Sequence, residues 1–252
     1  MIKFSQKVIK KIAYIFSAVA ILFLWHFLSL KINSNLILPK PFEVLKTVVQ
    51  LCFKSEFWID FLFTFWRSIF AFLISCVFGF FLGFICAKFV FFKYFFEFPL
   101  QIIRTTPVIA LILIALFWFN SNFLPVFAAV LMSLPIVTTC VQKGFLSVNK
   151  KEMFTAKIFN VSKIKCFFYI EFPTCLPFFI NSVDSVFGLC WKVVVAAEVM
   201  CLPKAAVGKI MINAQINLET SKVLVITALL VLVSFILQMI LKGVLKKICK
   251  TL

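Results

Sequence analysis

Five ionisable side chains stand within or at the edge of long apolar runs: Arg67, Arg104, Asp184, Lys192 and Glu198. A charge at the centre of a bilayer costs about 2–3 kcal/mol or more, so each must face protein or water rather than lipid. Asp184 and Glu198 are separated by close to four helical turns and share nearly one helix face, with Lys192 about 80° round from Asp184. Such a face could line a polar route for a solute. For Arg67, Arg104 and Glu198 the alternative is a helix-end position from which the side chain snorkels to water.

Other chemistry is poorly supplied. There is one histidine, His26, and nine acidic residues. No Ser/His/Asp set, no acidic pair for a diphosphate and no metal-ligand cluster can be assembled from them, so neither a metal nor a resident cofactor is expected. Gly208-Lys209 lacks the preceding glycine and the following hydroxyl of a phosphate-binding loop, so the chain has no ATP site of that kind. The nine cysteines form no Cys-x-x-Cys, and most sit in apolar runs (Cys76, Cys86, Cys140, Cys175, Cys190), where cysteine behaves as a small hydrophobe.

The elements that must hold these residues are membrane helices. Of 252 residues, 63% are hydrophobic and the mean hydropathy is +1.12, well above a soluble domain. The net charge of +17 accompanies no basic-aromatic module, so nucleic acid is not an expected partner. Ile12 to Leu30 is an uncharged run preceded by four lysines; it is long for a secretion signal, and no small-residue cleavage site follows it. The polar stretch Lys31 to Asp60 contains Leu38-Pro-Lys-Pro41, which cannot lie inside a helix. It is followed by Val44, Leu45, Val48, Val49, Leu51 and Cys52, the spacing of a helix with one wet face. Phe61 to Ala87 is the second predicted span. In it Ser75, Gly79, Gly83 and Ala87 recur every fourth residue, a small-residue strip that admits close helix approach.

Thr105 to Gln142 carries no formal charge over 38 residues, enough for two spans. Asn120-Ser-Asn122 with Pro125 marks the turn between a third span (Phe98 to Phe119) and a fourth (Phe123 to Val141). Lys143 to Phe172 is a polar loop with six lysines and two acids. It reads as two short amphipathic helices broken at Asn160-Val-Ser162, with Ser162 able to cap the second. A fifth span covers Cys175 to Val199, Leu202 to Lys222 is an external loop, and Val223 to Leu241 is the sixth span. Sixteen lysines fall on the side of the termini and central loop against seven on the other, which places both termini and that loop in the cytoplasm. The chain divides into residues 1–60, an N-terminal span with an external amphipathic segment, and residues 61–252, a five-helix core containing loop 143–172.

From Leu38 onward the chain resembles the permease subunit of bacterial ABC importers of the nitrate/sulfonate/taurine type. Leu38-Pro-Lys-Pro41 is similar to that group's Leu-Pro-x-Pro, Thr64-Phe-Trp-Arg67 to its Ser-Leu-x-Arg, and Arg104-Thr-Thr-Pro107 to its Arg-x-x-Pro. Trp191 with Ala196-Ala197-Glu198 is similar to its Trp and Ala-Glu at the same spacing. The central loop occupies the place of the Glu-Ala-Ala signature that docks on the ATPase. Phe154-Thr155-Ala156 stands for Glu-Ala-Ala, Asn160 for the signature glycine, and Asp184 stands where a basic residue is common.

The resemblance implies an all-α polytopic membrane protein of about six transmembrane helices. A cytoplasmic coupling loop would lie between spans four and five, with ATPase contacts at Phe154, Thr155, Ala156, Lys157, Phe159, Asn160, Val161 and Ser162. It implies a substrate route that includes Arg104, Asp184, Trp191, Lys192 and Glu198. The partners it implies are cytoplasmic ATP-binding subunits carrying ATP and magnesium, an extracytoplasmic binding protein, a second copy of the chain and the inner-membrane bilayer. The solute would be a small sulfonate, nitrate or taurine type, or thiamine-precursor-like. A secondary transporter or channel independent of an ATPase is the alternative, and a membrane scaffold a third.

Overall fold

The computed structural model describes the backbone of residues 2–251 and the side chains of residues 8–245 apart from Lys11, Ile15 and Ala18. The described chain is all-α, in two compact units: Met1–Trp58 with Ile210–Leu230, and Ile59–Lys209 with Val231–Leu252.

The first unit begins with α1 (Ile2–Ile32) and α2 (Pro41–Cys52). The Pro39-Lys40-Pro41 run stays extended, and Pro41 opens α2 at a position that needs no N–H. The Trp25 indole donates to the Pro39 carbonyl at 3.2 Å, and Asn35 donates to Glu43 at 3.0 Å, so the connection is held on both sides. Val44 and Leu51 form the buried stripe of α2, while Phe42, Leu45 and Val49 remain exposed. This matches the one-wet-face pattern only in part.

The second unit carries most of α3 (Ser55–Lys88), a helix that starts six residues before the predicted span. The predicted third span is not one straight helix. The structure has α4 (Val90–Thr105) and α5 (Val108–Ala115), bent by 100° at the intervening break. Pro107 is the cause: it drives Thr106 to an extended conformation (ψ 130°) and so ends α4. Asn120 caps the turn before α6 (Leu124–Leu146) by accepting from the Phe123 N–H at 3.0 Å, and Pro125 sits in the first turn of that helix.

After α6 come α7 (Lys150–Ile158), α8 (Lys163–Cys166), a π turn (Phe167–Glu171) and α9 (Phe172–Cys201). The second predicted loop helix is therefore no separate element, because it runs through the π turn into α9. Pro173 and Pro177 each remove a donor from the early ladder of α9. The predicted external loop contains α10 (Val207–Ile216), and α11 (Thr220–Thr251) extends the sixth span at both ends.

Among the described residues, four helices are long and apolar enough to cross a membrane: α1 from Val8, α3, α6 and α11 to Leu245. The bent α4–α5 pair makes a fifth if it counts as one span. At 30 residues α9 is as long, but it carries Asp184, Lys192 and Glu198. In the second unit α6 is the central helix. The small-residue strip of α3 does bring a neighbour close. A Cβ on Gly79 would lie 2.6 Å from Val137 Cβ, and one on Gly83 2.6 Å from the Thr138 carbonyl oxygen. Between these helices Ser75 and Ser133 share a hydrogen bond of 2.6 Å, and Cys190 of α9 donates to Ser133 at 3.4 Å, so α3, α6 and α9 meet at one buried polar point.

Candidate functional site

The lysine-rich stretch folds into an elbow. Asn149 caps α7 by accepting from the Lys151 N–H at 3.0 Å, a cap not anticipated from the sequence. At the other end of α7, Asn160 takes a left-handed conformation (φ 51°). The Val161 N–H returns to the Ala156 carbonyl at 2.9 Å and the Asn160 N–H to that of Lys157 at 3.1 Å. These paired bonds are a Schellman ending, usually built on glycine, and asparagine is the next residue to tolerate that conformation. Ser162 then caps α8, its hydroxyl accepting from the Lys165 N–H.

Of the predicted contact residues, Phe154, Thr155, Lys157, Phe159, Asn160, Val161 and Ser162 are exposed. Ala156 is buried and its carbonyl is used in the turn, so it supports the elbow from inside. Glu152 lies in the first turn of α7, beside the Asn149 amide. Ile158, Ile164, Phe168 and Tyr169 are also exposed and were not singled out by the sequence.

The elbow is fixed to the bundle by phenylalanines. Phe84 of α3 meets Phe145 of α6 at 5.1 Å and Phe167 of the π turn at 5.5 Å, and Phe145 stacks on Phe167 at 6.1 Å. Phe80 continues the cluster to Phe172 and Phe179. Lys88, at the end of α3, pairs with Glu171 in the π turn. Between these anchors and α7 lies an open cleft of about 1380 Å³, lined by Lys88, Lys150, Met153, Phe154, Lys157 and Ile164 among others.

A second polar cluster lies at the C-terminal end of α9. Glu198 is fully buried. Its carboxylate accepts from Arg67 Nη1 at 2.8 Å, Thr64 Oγ1 at 2.8 Å and the Gly208 N–H at 3.3 Å. Thr64 Oγ1 in turn accepts from the Val207 N–H at 3.0 Å, and Arg67 also donates to the Ala205 carbonyl at 2.8 Å. Leu202, left-handed at φ 47° and followed by Pro203, ends α9 and turns the chain back. Gly208 is required by proximity, since a Cβ there would lie 2.5 Å from Glu198 Cβ. The snorkelling alternative is therefore wrong for Arg67 and Glu198, which pair with each other. Arg104 is exposed in the last turn of α4, where its guanidinium donates to the Pro135 carbonyl and to Thr139 Oγ1 on α6.

The remaining route candidates are not brought together. Asp184 pairs with Lys242 of α11 at 3.0 Å. Trp191 is buried, packed edge-on against Phe65 at 6.3 Å, with its indole nitrogen unpartnered. Lys192 is exposed on the uncovered side of α9.

Membrane-length helices around an apolar core, with a solvated elbow projecting from the bundle, are the architecture of a polytopic membrane protein. Residues 79–249 match the family described as binding-protein-dependent transport system inner membrane component, and the chain belongs to that family. It is 25% identical over 193 residues to the "Putative aliphatic sulfonates transport permease protein SsuC" of Escherichia coli (strain K12), covering 76% of this chain and 73% of that protein. The fold is similar to a crystal structure of an amino acid ABC transporter with histidines (TM-score 0.60, 14% identity, 76% of this chain and 91% of that chain). It is likewise similar to the MetNI methionine ABC transporter in an inward-facing conformation (TM-score 0.58, 13% identity, 75% and 93%). The chain is thus a multi-pass inner-membrane permease subunit of a binding-protein-dependent transport system. Membership implies ATP-binding subunits and a substrate-binding protein as partners.

Proposed function

We propose that the elbow from Lys150 to Tyr169 is the surface on which cytoplasmic ATPase subunits dock. Through it, their ATP-driven closure would rock the membrane helices. The observation that carries this reading is a patch of large apolar side chains on a polar loop: Phe154, Ile158, Phe159, Ile164, Phe168 and Tyr169 are each between 59% and 79% exposed. Apolar surface concentrated in this way marks a protein interface, and the lysines around it favour an acidic rim on the partner. In this reading the termini and the elbow are cytoplasmic, two copies of the chain enclose the solute route, and a binding protein delivers the solute from the other side. The chain hydrolyses no ATP itself. The solute is a small molecule of the sulfonate, nitrate or taurine type, or a thiamine-precursor-like one; the name of the Escherichia coli relative favours a sulfonate.

The test is copurification in detergent. Wild type and a Phe154→Asp, Phe159→Asp double variant are used to capture P-loop ATPase subunits from the same cell. Both positions are exposed, so the double variant keeps the fold, whereas a charge at buried Ala156 would probe packing instead. Retention by wild type and loss in the variant is the expected result. A monodisperse wild type that retains no ATPase, or a variant that retains it equally, overturns the reading.

A further inference from the structure

The α2 helix has three faces rather than two. At about 100° per residue, Val44 and Leu51 fall on the face buried in the first unit. Phe42, Leu45, Val49 and the C-cap Phe53 fall on a second face that nothing covers. Lys46, Gln50 and Lys54 run along a third, beside that stripe, and are exposed. Leu36 and Ile37 in the preceding turn add to the uncovered apolar surface, and each side chain of this surface is between 56% and 86% exposed.

Apolar surface of this extent needs cover, and the tethers of α2 identify it. From Val8 to Ile32, α1 is long and apolar enough to cross a membrane. Trp25 stands about two turns (~10 Å) before the end of that helix, and helical side chains lean toward the N-terminus. The Pro39 carbonyl that accepts from the Trp25 indole is thus held beside the span, not beyond it. At the other end of α2 the Trp58 indole, near the start of α3, donates to the Cys52 carbonyl at 2.8 Å. The α3 helix also has membrane-crossing length and composition. Both ends of α2 are therefore bonded to a tryptophan near the end of a candidate span, the side chain that favours the lipid–water boundary. A helix strung between two such points lies along that boundary.

Charge and shape agree. Neither Lys46 nor Lys54 has an ion pair among the described residues. Next to the stripe is an open cleft of about 690 Å³, to which Thr47, Gln50, Lys54 and Ser221 contribute hydroxyl, amide and ammonium donors. These are groups that a phosphate can accept from. The Glu219 carboxylate that also lines the cleft is paired with Lys222 at 2.9 Å.

We propose that α2 is an interfacial helix. Its Phe42–Phe53 stripe enters the acyl boundary of the leaflet at which α1 ends, and Lys46 and Lys54 draw anionic phospholipid headgroups to its flank. This contact depends on the chain lying in a bilayer and not on ATPase docking at the elbow.

The test is fluorescence quenching of the full chain in vesicles. Single cysteines at Val49 and at Gln50, in a chain whose native cysteines are replaced, are labelled with nitrobenzoxadiazole. Both positions are exposed, so labelling leaves the packing of the unit intact. Each monodisperse variant is reconstituted in phosphatidylcholine vesicles with phosphatidylglycerol as the minor lipid. A nitroxide on a shallow acyl carbon should quench the label at 49 more strongly than the label at 50, and aqueous iodide should do the reverse. Iodide quenching at 49 equal to that at 50 means a stripe open to water, as a surface awaiting a soluble partner would be, and overturns the lipid contact. Quenching at 49 by nitroxide on phosphatidylglycerol should exceed that by nitroxide on phosphatidylcholine at the same mole fraction. The ratio of the two should fall about fivefold in Lys46→Gln and be kept in Lys46→Arg. A ratio that Lys46→Gln leaves unchanged to within about twofold overturns the headgroup preference. The quenching pattern is expected with or without ATPase capture by the elbow, so the two readings fail separately.

Discussion

Removing the Arg67 guanidinium should be the most damaging single change in the helix bundle. Glu198 has no exposed surface, and the Arg67 side chain is only 11% exposed. In Arg67→Met the carboxylate keeps the Thr64 hydroxyl and the Gly208 N–H but loses its counter-charge. Breaking a buried pair from one side costs about 3–5 kcal/mol, because a desolvated charge is left behind. Glu198→Gln preserves the shape and strands only the partly solvated arginine, which still has the Ala205 carbonyl; its cost should be about 1–3 kcal/mol. The double variant Arg67→Met, Glu198→Gln removes both charges and should be less damaged than Arg67→Met alone. Thermal unfolding of the detergent-purified chain, followed by loss of the monodisperse peak, should place Arg67→Met on the order of 10 °C below wild type. A local readout accompanies it: Cys201, buried and donating to the Ser121 carbonyl at 3.3 Å, should become reactive to thiol reagents as the turn after α9 opens. Additivity of the two single changes within about 0.5 kcal/mol would refute the clamp, since uncoupled residues add.

Two further outcomes follow from close approach and from backbone conformation. Gly83→Ala should lower thermal stability by about 1–3 kcal/mol, because the new Cβ would lie 2.6 Å from the Thr138 carbonyl oxygen, an atom on a buried helix backbone; Gly243→Ala, with nothing within 4 Å, is the control that should leave the melting curve unchanged. Asn160→Gly should retain the elbow and ATPase capture, whereas Asn160→Val, forced to φ 51°, should cost about 1–2 kcal/mol and weaken capture in the same copurification assay.

The parts of this molecule that could be read from the sequence are those governed by local pattern. Uncharged runs gave the membrane helices, the four-residue recurrence of Ser75, Gly79, Gly83 and Ala87 gave the tight contact with α6, and Asn160 with Ser162 gave the elbow. The break at Thr106-Pro107 is equally local, a proline that ends a helix inside a 38-residue uncharged run whose length alone fits two straight spans. The α10 helix was hidden for a different reason. Gly208 reads as a breaker, yet it is glycine because the Glu198 Cβ lies where its own side chain would be.

The ion-pair clamp depends on a pairing that no local pattern contains. Arg67 and Glu198 are 131 residues apart, and each alone is well described as a charge near a helix end, where snorkelling is the cheaper explanation. What could have joined them is a count of charges against lipid: two opposite charges at the same depth in different spans cost less as a pair than as two separate exits to water. The same count, applied to α9, leaves Lys192 over. Asp184 is matched by Lys242 and Glu198 by Arg67, and Lys192 is an exposed lysine with no ion pair among the described residues.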